Sequence, residues 1–203
     1  MKNAVLYFFL LLTAITVHGQ DDGADCGMYG KKTIEQRNKL FPFSKAKKIL
    51  LVSYADYAFR IPPEDDTIVA PPPLGINRYV IREEGFKDRV YNTIEEVDLE
   101  LSDVQLLSNI VVNFRLKKFK KGLLVAGSLC YEPRNSILFF DENNDIICCL
   151  EICFDCWESF MRSDPDNLTQ FDDVYGCEGK LELIRELFRK NGIKYGIEKN
   201  KNL

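Results

Sequence analysis

The sequence predicts an α+β domain in which an antiparallel β-meander is flanked by helices. Three strand-like apolar runs follow one another closely, at residues 123–129, 136–140 and 146–153. The polar segment 141–145 supplies a turn between the last two runs. Apolar residues at helical spacing lie on either side of these runs, at 102–113 and 180–190. Strands grouped together and bordered by helices are typical of the α+β class.

Local patterns also predict the elements that precede the meander. Residues 33–40 are expected to form a short helix that ends before Pro42, and the apolar run 48–54 is expected to be a buried strand. Five prolines make 58–75 an extended loop, because proline lacks the backbone donor that strand pairing needs. Alternating apolar residues predict a further strand at 89–101.

The two long helices carry end signals. Ser102 and Gln105 have the spacing of a capping box, which places the start of the first helix there. The helix at 180–190 is expected to stop at Gly192, which acts as a C-cap. The segment 193–197 that follows is expected to be extended and to dock on the sheet.

The N-terminus has the composition of a cleavable signal peptide. Lys2 precedes an apolar run over residues 4–17, which is shorter than the roughly 20 residues of a membrane span. Gly19 is a small residue suited to the position before the cut. We therefore expect residues 1–19 to be removed. Residues 20–203 then form a single globular domain without a transmembrane segment, exported to the periplasm or secreted.

Charge and histidine content exclude several classes of function. The predicted mature chain keeps 26 of the 27 basic residues against 31 acidic ones, so no attraction to nucleic acid is expected. The single histidine, His18, lies in the predicted signal peptide. The mature chain therefore lacks a Ser-His or Cys-His couple and any imidazole metal ligand. No cofactor is expected, and the sequence identifies no partner.

Thiols are the main chemistry that the mature chain offers. It contains seven cysteines, an odd number, so at least one thiol is free or pairs with another molecule. They are Cys26, Cys130, Cys148, Cys149, Cys153, Cys156 and Cys177. Cys153 and Cys156 form a C-x-x-C at the end of a predicted strand, and the segment 157–161 after it is a candidate helix start. A helix N-terminus beside a thiol lowers its pKa, as in thiol-disulfide oxidoreductases.

Three hypotheses for the cysteines remain open. The first places structural disulfides among Cys130, Cys153, Cys156 and Cys177, in a non-enzymatic domain that binds a partner or forms part of the cell envelope. The second is thiol-disulfide redox chemistry at Cys153 and Cys156. The third is a four-thiolate metal site built from the same four cysteines, although the paired spacing of a zinc ribbon is missing. Cys148 is expected to be a small buried hydrophobe.

Three stretches of the chain carry a resemblance to a family. They are Cys130 to Phe140, Glu151 to Cys156, and Cys177 to Gly196. Together they resemble a group of small exported proteins of Bacteroidetes-type bacteria that has no established activity. The resemblance implies a bacterial exported origin, and it groups Arg134 and Glu151 with the cysteines. These two side chains are expected to form a partly buried ion pair inside the meander, with a ligand-binding pair as the alternative.

Overall fold

The computed structural model describes residues 26–59, 78–81, 89–116, 131–163 and 178–198. These residues form eight strands and three helices. In chain order the elements are β1 Cys26–Met28, α1 Ile34–Asn38, β2 Lys48–Phe59, β3 Arg78–Ile81, β4 Arg89–Asp98, α2 Leu101–Asn113, β5 Phe114–Leu116, β6 Asn135–Phe140, β7 Ile146–Cys153, β8 Glu158–Ser163 and α3 Glu178–Lys190.

Six of the strands form one antiparallel sheet in the order β3-β4-β2-β6-β7-β8. The consecutive strands β6, β7 and β8 are a meander, and β2 lies in the middle because it pairs with both β4 and β6. The short strands β1 and β5 pair separately as a two-stranded sheet. The predicted α+β class, with an antiparallel meander and flanking helices, is confirmed.

The core lies between one face of the sheet and the helices α2 and α3. Side chains alternate along a strand, so Leu51 of β2 faces the helices while its neighbour Leu50 faces the other way. Leu51 shares its cluster with Leu107 of α2 and Phe188 of α3. Leu50 belongs to a second buried cluster on the opposite face of the sheet. Both faces of β2 are therefore buried over residues 49–54.

Helices α2 and α3 run antiparallel, and lysines of α3 fix this arrangement at both ends. The Lys180 ammonium is buried and donates to the Val111 carbonyl at 3.3 Å, near the end of α2. The Lys190 ammonium donates to the Asp103 carboxylate in the first turn of α2. Asp103 also lies where the helix dipole favours a negative charge.

Helix α1 is held against α2 by a buried arginine. Thr33 and Gln36 form a capping box, which confirms a helix start at that point. Arg37 Nε donates to Ser108 Oγ of α2 at 3.0 Å, and Arg37 Nη1 donates to the Lys32 carbonyl at 2.8 Å. One side chain thus closes the start of its own helix and attaches it to the next.

The start of α2 differs from the capping-box prediction, which was wrong. The N-cap is Glu100, whose side chain makes no capping hydrogen bond, and the helix begins at Leu101 rather than after Ser102. The reason is the preceding strand. Leu99 N–H still bonds to the Ile49 carbonyl at 2.9 Å, so the chain stays beside β2 until that residue and turns immediately afterwards.

The segment after the C-x-x-C is a strand instead of the start of a helix. Residues 154–157 form a turn that ends at Trp157, whose φ is 56°. The chain reverses there, and β8 pairs along β7 with Phe160 opposite Glu151. The free edge of β7 supplies backbone partners, and this tertiary pairing overrides the local helical preference.

The C-terminal part of the described chain docks as predicted but is not extended. Helix α3 ends before Gly192, whose φ of 84° confirms the glycine C-cap. Residues 195–197 form a turn in which Gly196 has a φ of 75°. Ile193 and Ile197 are nevertheless buried in the main core cluster.

Several predicted features lie outside the described residues. They include the signal peptide 1–19, the strand-like run 123–129 and most of the loop 58–75. The first two residues of that loop are still part of β2, which runs to Phe59.

Candidate functional site

The C-x-x-C lies where β7 turns into β8. Cys153 is the last residue of β7, and Cys156 is in the turn that follows. The two sulfurs are bonded to each other, with 5.3 Å between the Cα atoms. Only Phe154 and Asp155 lie between the cysteines, so the bridge closes a very short loop.

The two cysteines of this bridge are in different environments. Cys153 is 2% exposed, whereas Cys156 is half-buried. Cys156 N–H donates to Cys153 Sγ at 3.3 Å. A backbone donor at a sulfur stabilises negative charge there, so this contact offsets part of the cost of a buried thiolate at Cys153 when the bridge opens.

Arg185 of α3 holds the turn from the helical side. Its Nη2 donates to the Phe154 carbonyl at 2.8 Å, and its guanidinium carbon lies 4.6 Å from the Trp157 ring centroid. Arg185 Nη1 pairs with Glu182 at 2.8 Å, and the residue is 6% exposed. The arginine therefore links the C-x-x-C turn to α3 by a hydrogen bond and by a cation–π contact.

An aromatic contact also anchors the turn in the core. Phe154 meets Phe188 of α3 edge to face, with 5.6 Å between the ring centroids. Such pairs contribute about 0.5–1.5 kcal/mol beyond the area that they bury. The position of the turn therefore does not depend on the disulfide alone.

Glu151 lies on the sheet face opposite the helices, and its partner differs from the expected one. Its buried Oε2 accepts a hydrogen bond from Arg162 Nε at 2.6 Å, with a weaker contact from Tyr131 Oη at 3.5 Å. Arg134 Nη2 instead lies 3.8 Å from Glu132, so the expected Arg134–Glu151 ion pair is corrected. Arg162 is better placed because it lies on the adjacent strand β8, on the same face as Glu151.

A buried hydroxyl and thiol lie beside this ion pair. Ser136 Oγ and Cys149 Sγ are 3.3 Å apart, and both residues are fully buried. Tyr54 donates its hydroxyl to the Asn135 carbonyl at 3.2 Å. Burial raises the pKa of Tyr54 well above its ordinary value, and the charge of Glu151 raises it further. This tyrosine is therefore a permanent hydrogen-bond donor at neutral pH.

Cys26 of β1 is also disulfide-bonded, which sequence reasoning missed. Cys148 and Cys149 are buried thiols outside any disulfide, and the C-x-x-C cysteines are bonded to each other. Elimination leaves Cys130 and Cys177 as the candidate partners, and both lie outside the described residues. The burial of Cys148 confirms the prediction that it is a small hydrophobe.

The metal hypothesis concerns four cysteines of which two are described. Cys153 and Cys156 are bonded to each other in this structure, while Cys130 and Cys177 lie outside the described ranges. Within those ranges no group of three or more His, Cys, Asp or Glu residues is arranged to hold a metal ion. The four-thiolate site stays a prediction.

Sequence reasoning also missed Arg162 and Arg185. Arg185 follows Leu181 by four residues, so it falls on the apolar face of α3, and a cation on such a face is a signal of a buried partner. Arg162 carried no such signal, because the segment around it was expected to be helical.

Comparisons of the chain with protein-family models, with curated proteins and with solved structures found no match. In the part of the chain that the structure describes, no helix is both long and apolar enough to cross a membrane. Function is therefore inferred from the residues of this chain alone.

Proposed function

We propose that this chain is an exported domain, stabilised by disulfide bonds, that binds a partner or forms a structural part of the cell envelope. The main support is the use of its buried charged groups. Arg185 joins α3 to the C-x-x-C turn, Lys180 joins α3 to α2, and the Glu151–Arg162 pair joins β7 to β8. Each of these charged side chains bonds to a group on another element, which is the pattern of a structural network.

Export is supported by two independent features. The N-terminal 19 residues have the charge and apolar length of a secretory signal. Cys26, Cys153 and Cys156 are all in disulfides, and such bonds persist in oxidising compartments such as the bacterial periplasm.

The Cys26 bridge has a clear structural task. β1 and β5 are paired over only three residue pairs, Cys26–Leu116, Gly27–Arg115 and Met28–Phe114. A two-stranded sheet this short is marginally stable by itself. A disulfide at Cys26 restricts the unfolded chain and typically contributes about 2–4 kcal/mol.

Chemical denaturation of the mature chain tests the structural role. Cys26→Ser is expected to lower the free energy of unfolding by about 2–4 kcal/mol without changing the circular dichroism spectrum. Met28→Ala in the same strand is the matched control, because that side chain is half exposed and its loss costs about 0.5 kcal/mol or less. Equal stability of Cys26→Ser and the parent protein would overturn the structural role of this bridge.

Cell fractionation of a bacterial host that expresses the full chain tests export and envelope association. The expected result is protein that begins at Gln20, released from the periplasm by osmotic shock or retained with washed envelopes. Protein that stays in the cytoplasm with residues 1–19 attached would contradict the proposal.

A further inference from the structure

We propose that the Cys153–Cys156 bridge is a site of thiol–disulfide exchange in which Cys156 is the sulfur that substrates attack and Cys153 is the leaving sulfur. This activity goes beyond the binding or structural role proposed above. It concerns one of the two observed disulfide systems, and it leaves the structural task of the Cys26 bridge unchanged.

The chemical step is balanced without any further reagent. A substrate thiolate attacks Cys156 Sγ, which forms a mixed disulfide and breaks the bond to Cys153, and Cys153 leaves as a thiolate. A second substrate thiolate attacks the substrate sulfur of the mixed disulfide and releases Cys156. Two substrate thiols become one substrate disulfide, their two electrons reduce the protein bridge, and their two protons end on Cys153 and Cys156.

Exposure decides which sulfur is attacked. Cys153 is 2% exposed and lies inside the end of β7, whereas Cys156 is half-buried at the surface of the turn. Exchange requires the attacking thiolate to approach in line with the sulfur–sulfur bond, so access is a condition of reaction. Only Cys156 offers that access.

The protein also prepares Cys153 as the leaving group. The Cys156 N–H that donates to Cys153 Sγ at 3.3 Å is already in place in the oxidised state. As the bond breaks, negative charge develops on Cys153, and this donor stabilises it. A better-stabilised thiolate leaves faster, so the contact accelerates attack at Cys156 over attack at Cys153.

The fold around the bridge is built to survive its opening. Arg185 binds the Phe154 carbonyl, and the Phe154 ring packs on Phe188, independently of the sulfurs. The bridge itself encloses two residues, and the stabilisation that a disulfide gives grows with the length of the loop it closes. The reduced turn is therefore held nearly as firmly as the oxidised one.

Charge at the turn indicates the class of thiol. Asp155 lies between the cysteines and is exposed, while the nearby positive charge of Arg185 is paired with Glu182 at 2.8 Å. An exposed carboxylate beside the attacked sulfur repels anionic thiols and attracts cationic ones at low salt. We therefore expect neutral or cationic thiols, including cysteines flanked by Lys or Arg in other polypeptides, to react faster than anionic small thiols.

The experiment uses the oxidised mature protein with cysteamine, a cationic thiol, followed by acid quenching, alkylation and peptide mass spectrometry. The expected early product carries cysteamine on Cys156 and the alkyl label on Cys153. Cysteamine found mainly on Cys153, or equally on both, would overturn the assignment of the attacked sulfur. Cys148 and Cys149 are buried and serve as internal reporters in a parallel sample alkylated without quenching, since their labelling there would show that the protein had unfolded.

A bridge that stays closed in millimolar cysteamine while the protein remains folded would overturn the exchange site altogether. That result would leave the structural role of Cys26 standing, because the two bridges are read separately in the same peptide map. A bridge that opens while Cys148 and Cys149 stay unlabelled in the natively alkylated sample supports exchange.

A second experiment tests the substrate class by comparing the rates of a cationic and an anionic thiol. The rate with cysteamine divided by the rate with glutathione is expected to fall at least twofold in Asp155→Asn at low salt, and the change is expected to shrink at 1 M salt. An unchanged ratio in Asp155→Asn would overturn the charge preference. It would not affect the assignment of Cys156, which the location of the adduct decides.

Discussion

Arg162 and Glu151 lie on adjacent strands and on the same face of the sheet, and the arginine Nε donates to the fully buried carboxylate at 2.6 Å. Glu151→Ala removes the buried carboxylate that accepts from a mostly buried guanidinium. We expect the free energy of unfolding to fall by about 3 kcal/mol, measured by chemical denaturation. Arg134→Ala is the matched control and is expected to cost about 0.5 kcal/mol or less, because Arg134 pairs with the exposed side chain of Glu132. Equal losses in the two variants would show that the pair does not stabilise the meander.

The contact between Lys190 and Asp103 makes stability depend on pH. The Lys190 hydrogen bond lowers the pKa of Asp103 below its ordinary value of 3.8, although burial opposes this. The unfolded carboxyl binds its proton first as pH falls, so the stabilisation is complete above about pH 4 and is lost as pH drops through the folded pKa.

Asp103→Asn measures that dependence. At pH 7 the variant is expected to be less stable than the parent protein by about 1 kcal/mol, and the difference is expected to shrink below about pH 4. Denaturation curves between pH 7 and pH 2.5 provide the check. Lys190→Met should abolish most of the pH-dependent part, and a difference that is constant over the whole range would contradict the assigned contact.

Two glycines with positive φ allow the cost of a left-handed backbone to be measured apart from the cost of a steric clash. Gly192 and Gly196 have φ values of 84° and 75°, but a Cβ on Gly192 would meet nothing within 4 Å. A Cβ on Gly196 would lie 2.5 Å from Asn135 Oδ1 and 2.7 Å from Arg134 Cβ. Gly192→Ala is expected to cost about 1 kcal/mol, the penalty for a left-handed residue. Gly196→Ala is expected to cost clearly more in thermal or chemical denaturation, and equal costs would be inconsistent with the close packing seen here.

Glu95 fastens the segment after α3 to the sheet. Its carboxylate accepts the Tyr195 N–H at 2.9 Å, the Lys194 N–H at 3.1 Å and the Ser53 hydroxyl at 2.8 Å. Glu95→Ala is expected to speed amide hydrogen exchange at Lys194 and Tyr195 by about tenfold, since each lost bond is worth about 1.4 kcal/mol of protection. Glu96→Ala is the control, because Glu96 projects from the opposite face of β4. Faster exchange in both variants would indicate general loosening of the sheet.

The buried thiols are expected to be inert in the folded protein. Burial raises the pKa of Cys148 well above its ordinary value, and Cys149 is equally enclosed. Iodoacetamide at pH 8 should therefore label neither residue until denaturant is added, because the thiolate is the reactive form. Native labelling of Cys149 at the rate of a free peptide thiol would disprove the enclosure of the sheet face on which it lies.

The elements with strong periodicity could be predicted from the sequence, and those set by tertiary pairing could not. The apolar spacing of α3 indicates its buried face, and the nearly continuous apolar run of β7 is typical of a strand buried on both faces, so both elements were predicted closely. β8 was missed because residues 158–163 gain strand partners only when the edge of β7 is available. The start of α2 was misplaced because Leu99 is fixed by Ile49 of β2, 50 residues earlier in the chain.

In the candidate site too, some features could be predicted from the sequence and others depend on tertiary contacts. The C-x-x-C is visible in the sequence, since it depends on spacing alone. Its orientation depends on Arg185, more than 25 residues later, and on a turn that brings Cys156 N–H to the sulfur of Cys153. The partner of Glu151 depended on the register between β7 and β8, which local patterns do not specify.

Ile193 and Ile197 complete a core that also contains Leu51, and this sets when the domain folds during synthesis. Until these two side chains have emerged from the ribosome that core is incomplete, and Glu95 then has no backbone amides from residues 194 and 195 to bind. The central strand is made early but cannot be fully enclosed until nearly the last part of the described chain has emerged. For a protein that we propose is exported, this delay keeps the polypeptide unfolded for longer, and an unfolded chain can pass through a translocation channel before it folds.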